Sequence, residues 1–336
     1  MNYAIEEYVF NDYNALSKAR KDVSCFVQEN AFHTLVKNDR SKQRYGFFAK
    51  GLKALWVLVK VFTLCKNDVL FVQTSDFLLK LILRIKNIRK FKLIYLIHDI
   101  YSLRYNTEIS IDKHWMEIQN DIQVLNRCDY VIAHNQFMID RLVQFGCESK
   151  LVSLDIFDYA CNFPAKRCLW RKGQKIQIAF AGNISKSLFL KELDKKDFPF
   201  HVNVYGNPHV QYHNLDYKGC VDADLLPDVI EGHFGLIWEG SYYADMTDNY
   251  NQINNPRKLS MYIVAGLPII ALKGTAAGAF IEKEKIGLTI DSLEQLLDIS
   301  NALNENEYQS MIDNCLKIRA DLVKGMYIQR ALHKCV

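Results

Sequence analysis

The chain has 336 residues, 49% of them hydrophobic and 24% charged, with a formal net charge of +4. The length exceeds what one hydrophobic core usually sustains, so two domains are expected, and the composition is that of a globular protein. A charge this modest gives no sign of a nucleic-acid binder.

Short apolar runs rich in Val, Ile and Phe alternate with segments of helical period, which predicts a mainly parallel sheet covered by helices. In chain order, strands are expected at Ala4 to Phe10, Thr34 to Val36, Val69 to Gln73, Leu93 to Ile97, Tyr130 to Ala133 and Leu151 to Leu154. The clearest helix runs from about Asp112 to Arg127, with Trp115, Ile118, Ile122 and Leu125 on one face. A polar, proline-bearing stretch from Asp158 to Gln174 then breaks the alternation, which restarts at Ile176. Further strands are expected at Ile176 to Phe180, Val202 to Tyr205, Phe234 to Trp238 and Pro268 to Leu272, and the chain after Glu305 reads as purely helical. The expected division is an N-terminal domain over 1–160, a C-terminal domain over 161–318, and a helical tail over 319–336 that crosses back to the first domain. The two α/β units are expected to face each other across a cleft.

Nine cysteines are scattered without a C-x-x-C pair. Their odd number excludes a closed set of intramolecular disulfides, and the spacing argues against zinc or redox chemistry. Glu6 and Glu7 stand where a signal peptide needs bases, and Lys60 and Lys66 interrupt the best apolar stretch, so a cytoplasmic protein is expected.

Ligands of such sheets bind beyond the carboxyl ends of the strands. In the first half that rule selects the loop Asn11 to Lys18, Gln73 to Ser75, His98-Asp99, His134-Asn135 and Asp155; in the second it selects Gly182 to Lys186, Tyr205-Gly206-Asn207, Glu239-Gly240 and Lys273-Gly274. The segment Asn255-Pro256-Arg257-Lys258-Leu259, followed by Ala265-Gly266-Leu267-Pro268, is the most informative of all. Pro256 suits a first helical position and Gly266 a left-handed C-terminal cap. Arg257 and Lys258 oppose the helix dipole in the first turn, an arrangement that favours an anion such as a diphosphate.

Gly182-Asn183 permits a tight turn close to a ligand, with Ser185 and Lys186 as donors to phosphate or ribose. Tyr205 and Tyr217 offer rings near where a base can stack. His98 and Asp99 end a buried central strand, where either can act as general base, with Asp155 and Asp158 as further candidates. Asp222-Ala223-Asp224 spells a metal-holding D-x-D, but its position before Leu225-Leu226 is explained by helix capping. No P-loop and no dinucleotide fingerprint occurs. Between Lys80 and Lys92 six bases interleave with apolar residues, a face that can rest on anionic headgroups. Aromatics near Tyr242-Tyr243 permit a homo-oligomeric interface.

The chain resembles the GT-B glycosyltransferases of the glucosyltransferase 3 and galactofuranosyltransferase type, which build bacterial surface glycans from UDP-sugars. The matching pieces are residues 17–22, Phe71-Val72-Gln73-Thr74, Leu96-Ile97-His98-Asp99, Phe180-Ala181-Gly182-Asn183, Phe234 to Trp238, Asn255 to Leu259 with Ala265 to Pro268, and Lys324 to Tyr327 with Arg330. The resemblance implies UDP held mainly by the C-terminal domain and acceptor by the N-terminal domain. It points to Lys258 and the turn Asn254, Asn255 and Pro256 around the diphosphate, to Asn183, Lys186 and Tyr217 around the nucleotide, and to Lys18 reaching across the cleft.

Many retaining GT-B enzymes carry a glutamate before the Gly-x-Pro turn, where this chain has Met261-Tyr262-Ile263-Val264. The resemblance therefore leans toward inverting chemistry without a metal, with Asp99 as base and His98 as its rival. The expected function is transfer of a hexose, galactofuranose or glucose, from a UDP-sugar to a lipid-linked, polysaccharide or glycoprotein acceptor, with no cofactor beyond the UDP-sugar. The alternatives are a non-catalytic UDP-sugar or glycan-binding partner and a UDP-sugar epimerase of the same fold.

Overall fold

The computed structural model describes residues 1–8, 15–39, 47–103, 111–165, 168–242 and 249–336. The chain forms two compact units, one of Met1–Asp158 with Gly325–Val336 and one of Tyr159–Lys324. The loop positions 11–14 and Tyr243, named above, lie outside the described residues.

In the first unit β1 (Asn2–Tyr8), α1 (Ala15–Glu29), β2 (His33–Asp39), α2 (Phe47–Phe62), β3 (Val69–Val72), α3 (Asp76–Arg89), β4 (Lys92–Leu96), α4 (Ile111–Leu125), β5 (Tyr130–Ala133), α5 (Gln136–Gln144) and β6 (Lys150–Ser153) alternate. The strands are all parallel, in the order β2-β1-β3-β4-β5-β6. β3 and the body of β4 are apolar and buried, as strands covered on both faces must be. On α4 the expected face is buried at Ile118, Ile122 and Leu125, whereas Trp115 is exposed, its ring against Phe145.

The second unit contains β7 (Ile176–Asn183), α6 (Phe189–Asp194), β8 (Phe200–Asn207), β9 (Asp216–Gly219), α7 (Leu226–Val229), β10 (Phe234–Ile237), α8 (Asn249–Ile253), α9 (Arg257–Ala265), β11 (Ile269–Leu272), α10 (Ala276–Glu284), β12 (Gly287–Ile290), α11 (Leu296–Ala302) and α12 (Glu305–Leu322). Its parallel order is β12-β11-β10-β7-β8-β9, the doubly wound arrangement with its topological switch between β7 and β10. The core is built on Phe180, Phe189, Phe234, Ile270 and Tyr308. The last helix, α13 (Met326–His333), belongs to the first unit. Residues 319–324 stay with the second unit, because α12 continues to Leu322, which is fully buried.

Gly325 makes this return possible. It takes the left-handed conformation at φ 68°, and a Cβ there would lie 2.4 Å from the Phe26 ring. The Asp158 carboxylate then accepts the backbone N–H groups of Tyr327 and Ile328, at 3.1 and 2.7 Å, and so holds the amino end of α13. Asp158 is thereby a structural anchor rather than a candidate base.

No helix among the described residues is long and apolar enough to cross a membrane. Tyr242, expected on an exposed aromatic surface, is buried, with its hydroxyl 2.9 Å from the Lys196 ammonium and that ammonium 4.1 Å from its ring centre.

Candidate functional site

At the switch of the second sheet β7 and β10 pair only through Phe234 with Ile178 and Gly235 with Ala179. Beyond that point the strands part, and their unpaired backbone groups need other partners. The fully buried Tyr262 of α9 supplies them: its hydroxyl accepts the Ala181 N–H at 2.9 Å and lies 3.2 Å from the carbonyls of Ala179 and Leu236. Burial and the lost solvation of a phenolate hold this phenol far above the ordinary tyrosine range. Gly235 leaves room for the ring, since a Cβ there would lie 2.3 Å from it.

Above this joint sits the amino end of α9. Pro256 is the N-cap in extended conformation, one residue earlier than its expected first helical position, and Gly266 closes the helix at φ 79° with its N–H bonded to the carbonyls of Tyr262 and Ile263. Arg257 and Lys258 do not act together, as the sequence had suggested. Arg257 turns to the Tyr159 ring, 5.2 Å away. Lys258 turns toward the ends of β7 and β10: its ammonium is 5.1 Å from the Phe180 ring centre and 3.7 Å from the Glu239 carboxylate. Burial pulls the pKa of Lys258 below the usual lysine value, and Glu239 opposes the shift.

Gly182 completes the contour. A Cβ there would meet the Phe180 ring at 3.1 Å and the Lys258 ammonium at 3.9 Å, so its absence keeps the backbone open to a ligand beside the cation. Asn183, Ser185 and Lys186 follow on the exposed rim. This rim is braced by the bond from Ser187 Oγ to the Asn183 carbonyl, 2.9 Å, and from the Phe189 N–H to the Gly240 carbonyl, 3.0 Å. Asn254 and Pro256 are half-buried at the mouth of α9, with Asn255 buried between them. One crevice thus gathers Gly182, Glu239, Lys258 and a helix start.

The tyrosines divide. Tyr205 is turned inward, 4% exposed, and its hydroxyl accepts the Glu231 N–H at 3.0 Å while Asn203 on the same strand face donates to the Glu231 carbonyl at 2.8 Å. Its expected role as an open stacking ring is therefore corrected to that of a brace. Tyr217 lies on the edge strand β9, half-buried, with its hydroxyl bonded to the Gly206 carbonyl at 3.0 Å and its ring against His209. Gly206 pairs with Gly182 across β7 and β8, and a Cβ at 206 would lie 1.9 Å from the Gly182 carbonyl oxygen. Asp222 Oδ1 accepts the Asp224 N–H at 2.7 Å, closing an Asx turn, while the N-cap of α7 is Leu225, so the expected helix cap by these aspartates does not form.

The first unit carries His98 and Asp99 just past β4, both half-buried. Gln73 Nε2 donates to the Arg20 carbonyl and to Ser24 Oγ, at 3.0 and 2.8 Å. A carbonyl can only accept, so this orients the amide and leaves Gln73 Oε1 as the acceptor for His98 Nε2–H, 2.6 Å away. The proton of a neutral His98 therefore sits on Nε2, and Nδ1 is its basic nitrogen. The imidazole also stacks on Phe157, with centroids 5.3 Å apart. Asp155 is exposed and bonded to Ser153 Oγ at 2.5 Å.

Lys18 belongs to the first unit. It is 5% exposed and its ammonium is 2.8 Å from Asp22, an ion pair within α1. The bracing roles of Tyr262 and Gly235 escaped the sequence reading. Gln73 and Glu239 carried a signal, their place at the carboxyl end of a strand.

Two family models match the chain: one described as the glucosyltransferase 3-like N-terminal domain over residues 2–156, and one described as the C-terminal domain over 178–335. A glucosyltransferase 3 of Streptococcus parasanguinis is 29% identical over 78% of this chain and 75% of its own. The beta-1,6-galactofuranosyltransferase WbbI of Escherichia coli K12 is 27% identical over 74% and 72%. Among solved structures, Anabaena Alr3699/HepE in complex with UDP is similar in fold at 12% identity, with a TM-score of 0.67 and 99% of each chain covered.

Proposed function

This chain belongs to the glucosyltransferase 3-like family, and from that premise we propose that it transfers a hexose from a UDP-sugar to a glycan acceptor, with the donor diphosphate seated at the mouth of α9. The observation that carries this seat is the half-buried Lys258 ammonium set beside Gly182 and a helix start that has no acid in its first turn. A diphosphate there would gain a charge-assisted bond from Lys258 and the attraction of the positive end of the helix dipole. The same contacts would stabilise the charge that develops on UDP as it leaves. Asn183, Lys186, Tyr217 and the turn Asn254 to Pro256 are assigned to the nucleotide and its phosphates.

On the acceptor side Asp99 is assigned as the base that takes the proton from the attacking hydroxyl. His98 is its rival through Nδ1. The helix position before Gly266 carries no carboxylate, only the buried Met261, Tyr262, Ile263 and Val264, and this favours direct inverting displacement. Galactofuranose and glucose are the donors proposed, given the names of the two relatives, and the acceptor proposed is a growing surface glycan or glycoprotein glycan. Contact of the Lys80–Lys92 face with the inner side of the cell membrane belongs to the same proposal.

Incubation with UDP-glucose, UDP-galactose, UDP-galactofuranose and UDP-N-acetylglucosamine, together with a glycan-lipid extract, tests the reading by mass spectrometry. A hexose added to the acceptor is the expected result. UDP-sugar bound without turnover would favour a binding partner, and an altered free sugar would favour an epimerase.

A further inference from the structure

The helix α2 presents an apolar stripe outward: Leu52, Leu55, Trp56, Val59 and Phe62 are each between 49 and 64% exposed. The spacing places them on one side, while Val57 and Val61 are buried on the other. From residue 47 to residue 98 the sequence holds ten lysines and arginines against two acids, Asp68 and Asp76, although the whole chain is only +4. Part of that charge is committed to structure. Lys86 pairs with Asp129 at 3.0 Å, and Arg89 donates to the Leu64 carbonyl at 2.9 Å beside the Phe62 ring. Lys66, Lys80, Arg84 and Lys90 are exposed, and the Lys60 ammonium lies 4.8 Å from the Trp56 ring centre.

We propose that α2 is the element by which this protein rests on an anionic phospholipid bilayer, with Leu52, Leu55, Trp56 and Val59 entering the headgroup boundary and the flanking bases of α2 and α3 meeting the lipid phosphates. A large exposed apolar strip beside bases of one sign matches such a surface, whose interior takes the leucines and whose headgroups take the cations. Trp56 suits the boundary, with an apolar body and one N–H donor. Long lysines beside the stripe can lie along it and keep their ammonium groups in water. A second copy of the chain fits poorly. Self-docking would bring like charges together, and five side chains are few beside the roughly 20 to 30 residues each partner of a stable dimer contributes. The contact thus adds the apolar stripe of α2 to the basic run on α3, and it does not depend on the UDP seat.

The test is flotation of the whole protein with vesicles of mixed phosphatidylglycerol and phosphatidylcholine against vesicles of phosphatidylcholine alone. UDP titration of every variant reports folding of the unit that α2 does not belong to, and far-ultraviolet melting reports the other. Wild-type protein is expected to float with the mixed vesicles, with its tryptophan emission moving to the blue and quenched by brominated lipid. Leu55→Ser with Trp56→Ser and Val59→Ser should float about tenfold less or weaker still. Lys80→Gln with Arg84→Gln and Lys90→Gln should weaken flotation and its salt dependence together. Absence of flotation at low salt, equal flotation of the stripe variant, or a stripe variant that turns a dimer into a monomer by light scattering while flotation persists would each overturn the proposal.

Discussion

The two units share a parallel, doubly wound sheet, yet they treat the switch between their diverging strands in opposite ways. In the first unit the gap between β1 and β3 is filled by buried polar side chains: Arg20 lies 2.6 Å from the fully buried Glu7, Asn38 donates to the same carboxylate at 3.0 Å, and Arg20 also bonds the Gln73 carbonyl. In the second unit the gap between β7 and β10 is closed by one neutral hydroxyl, that of Tyr262, and the space above it keeps a glycine and a cation. At the first switch the buried cation is held by a buried carboxylate within the same unit. The one braced by a neutral hydroxyl leaves Lys258 facing the more distant Glu239 carboxylate, at 3.7 Å, beside the open backbone of Gly182. The difference explains why a diphosphate is proposed in one unit and acceptor chemistry in the other.

The comparison can be broken at several points. Asp99→Asn removes a proton acceptor while keeping the shape, so transfer should fall by about 10² to 10⁴-fold with UDP binding intact. A fully active variant would pass the assignment to His98. Arg20→Met leaves Glu7 buried without its cation and should cost about 3 to 5 kcal/mol in denaturant melts, without changing UDP affinity in protein that remains folded. Loss of UDP binding along with that stability would contradict the separation drawn between the two switches. Tyr262→Phe strands the Ala181 N–H and should cost about 1 to 3 kcal/mol of stability, with a weaker seat because Gly182 follows directly. An unchanged melting temperature would show that the hydroxyl does not brace the strands.

The pH dependence is smaller and has a definite sign. Burial lowers the Lys258 pKa, so the free protein begins to lose that proton below the pH at which an ordinary lysine does. A bound diphosphate favours the charged form, so affinity should fall as pH rises through this depressed pKa, and binding near it should take up protons. Titrations in buffers of different ionisation enthalpy measure the uptake. Lys258→Arg should remove the alkaline loss from the accessible range, since a guanidinium keeps its charge there.

Much of this arrangement was legible in the sequence because it is local. The helix start at Asn255 to Lys258 and its glycine stop are encoded within a dozen residues, and the apolar strands announced both sheets. The edge strands β9 and β12 were not legible. Asp216 to Gly219 is polar, as an exposed edge allows, and Gly287 to Ile290 is too short to show a period. The polar network of the first unit joins positions 7, 20, 38, 73 and 98, whose meeting depends on the folded sheet. Tyr262 registered only as the place where a glutamate is missing, since nothing local says that its hydroxyl will bridge two strands. The rotation of Arg257 away from Lys258 likewise depends on Tyr159, a residue nearly a hundred positions earlier.

The central claim is that the mouth of α9 binds a pyrophosphate through Lys258, and calorimetric titration of wild-type protein and Lys258→Ala with UDP and with uridine tests it most directly. The account predicts that the substitution weakens UDP by about 1.5 to 3 kcal/mol and leaves uridine nearly unchanged. Equal UDP affinity in the two proteins, or equal losses for UDP and uridine, would contradict it.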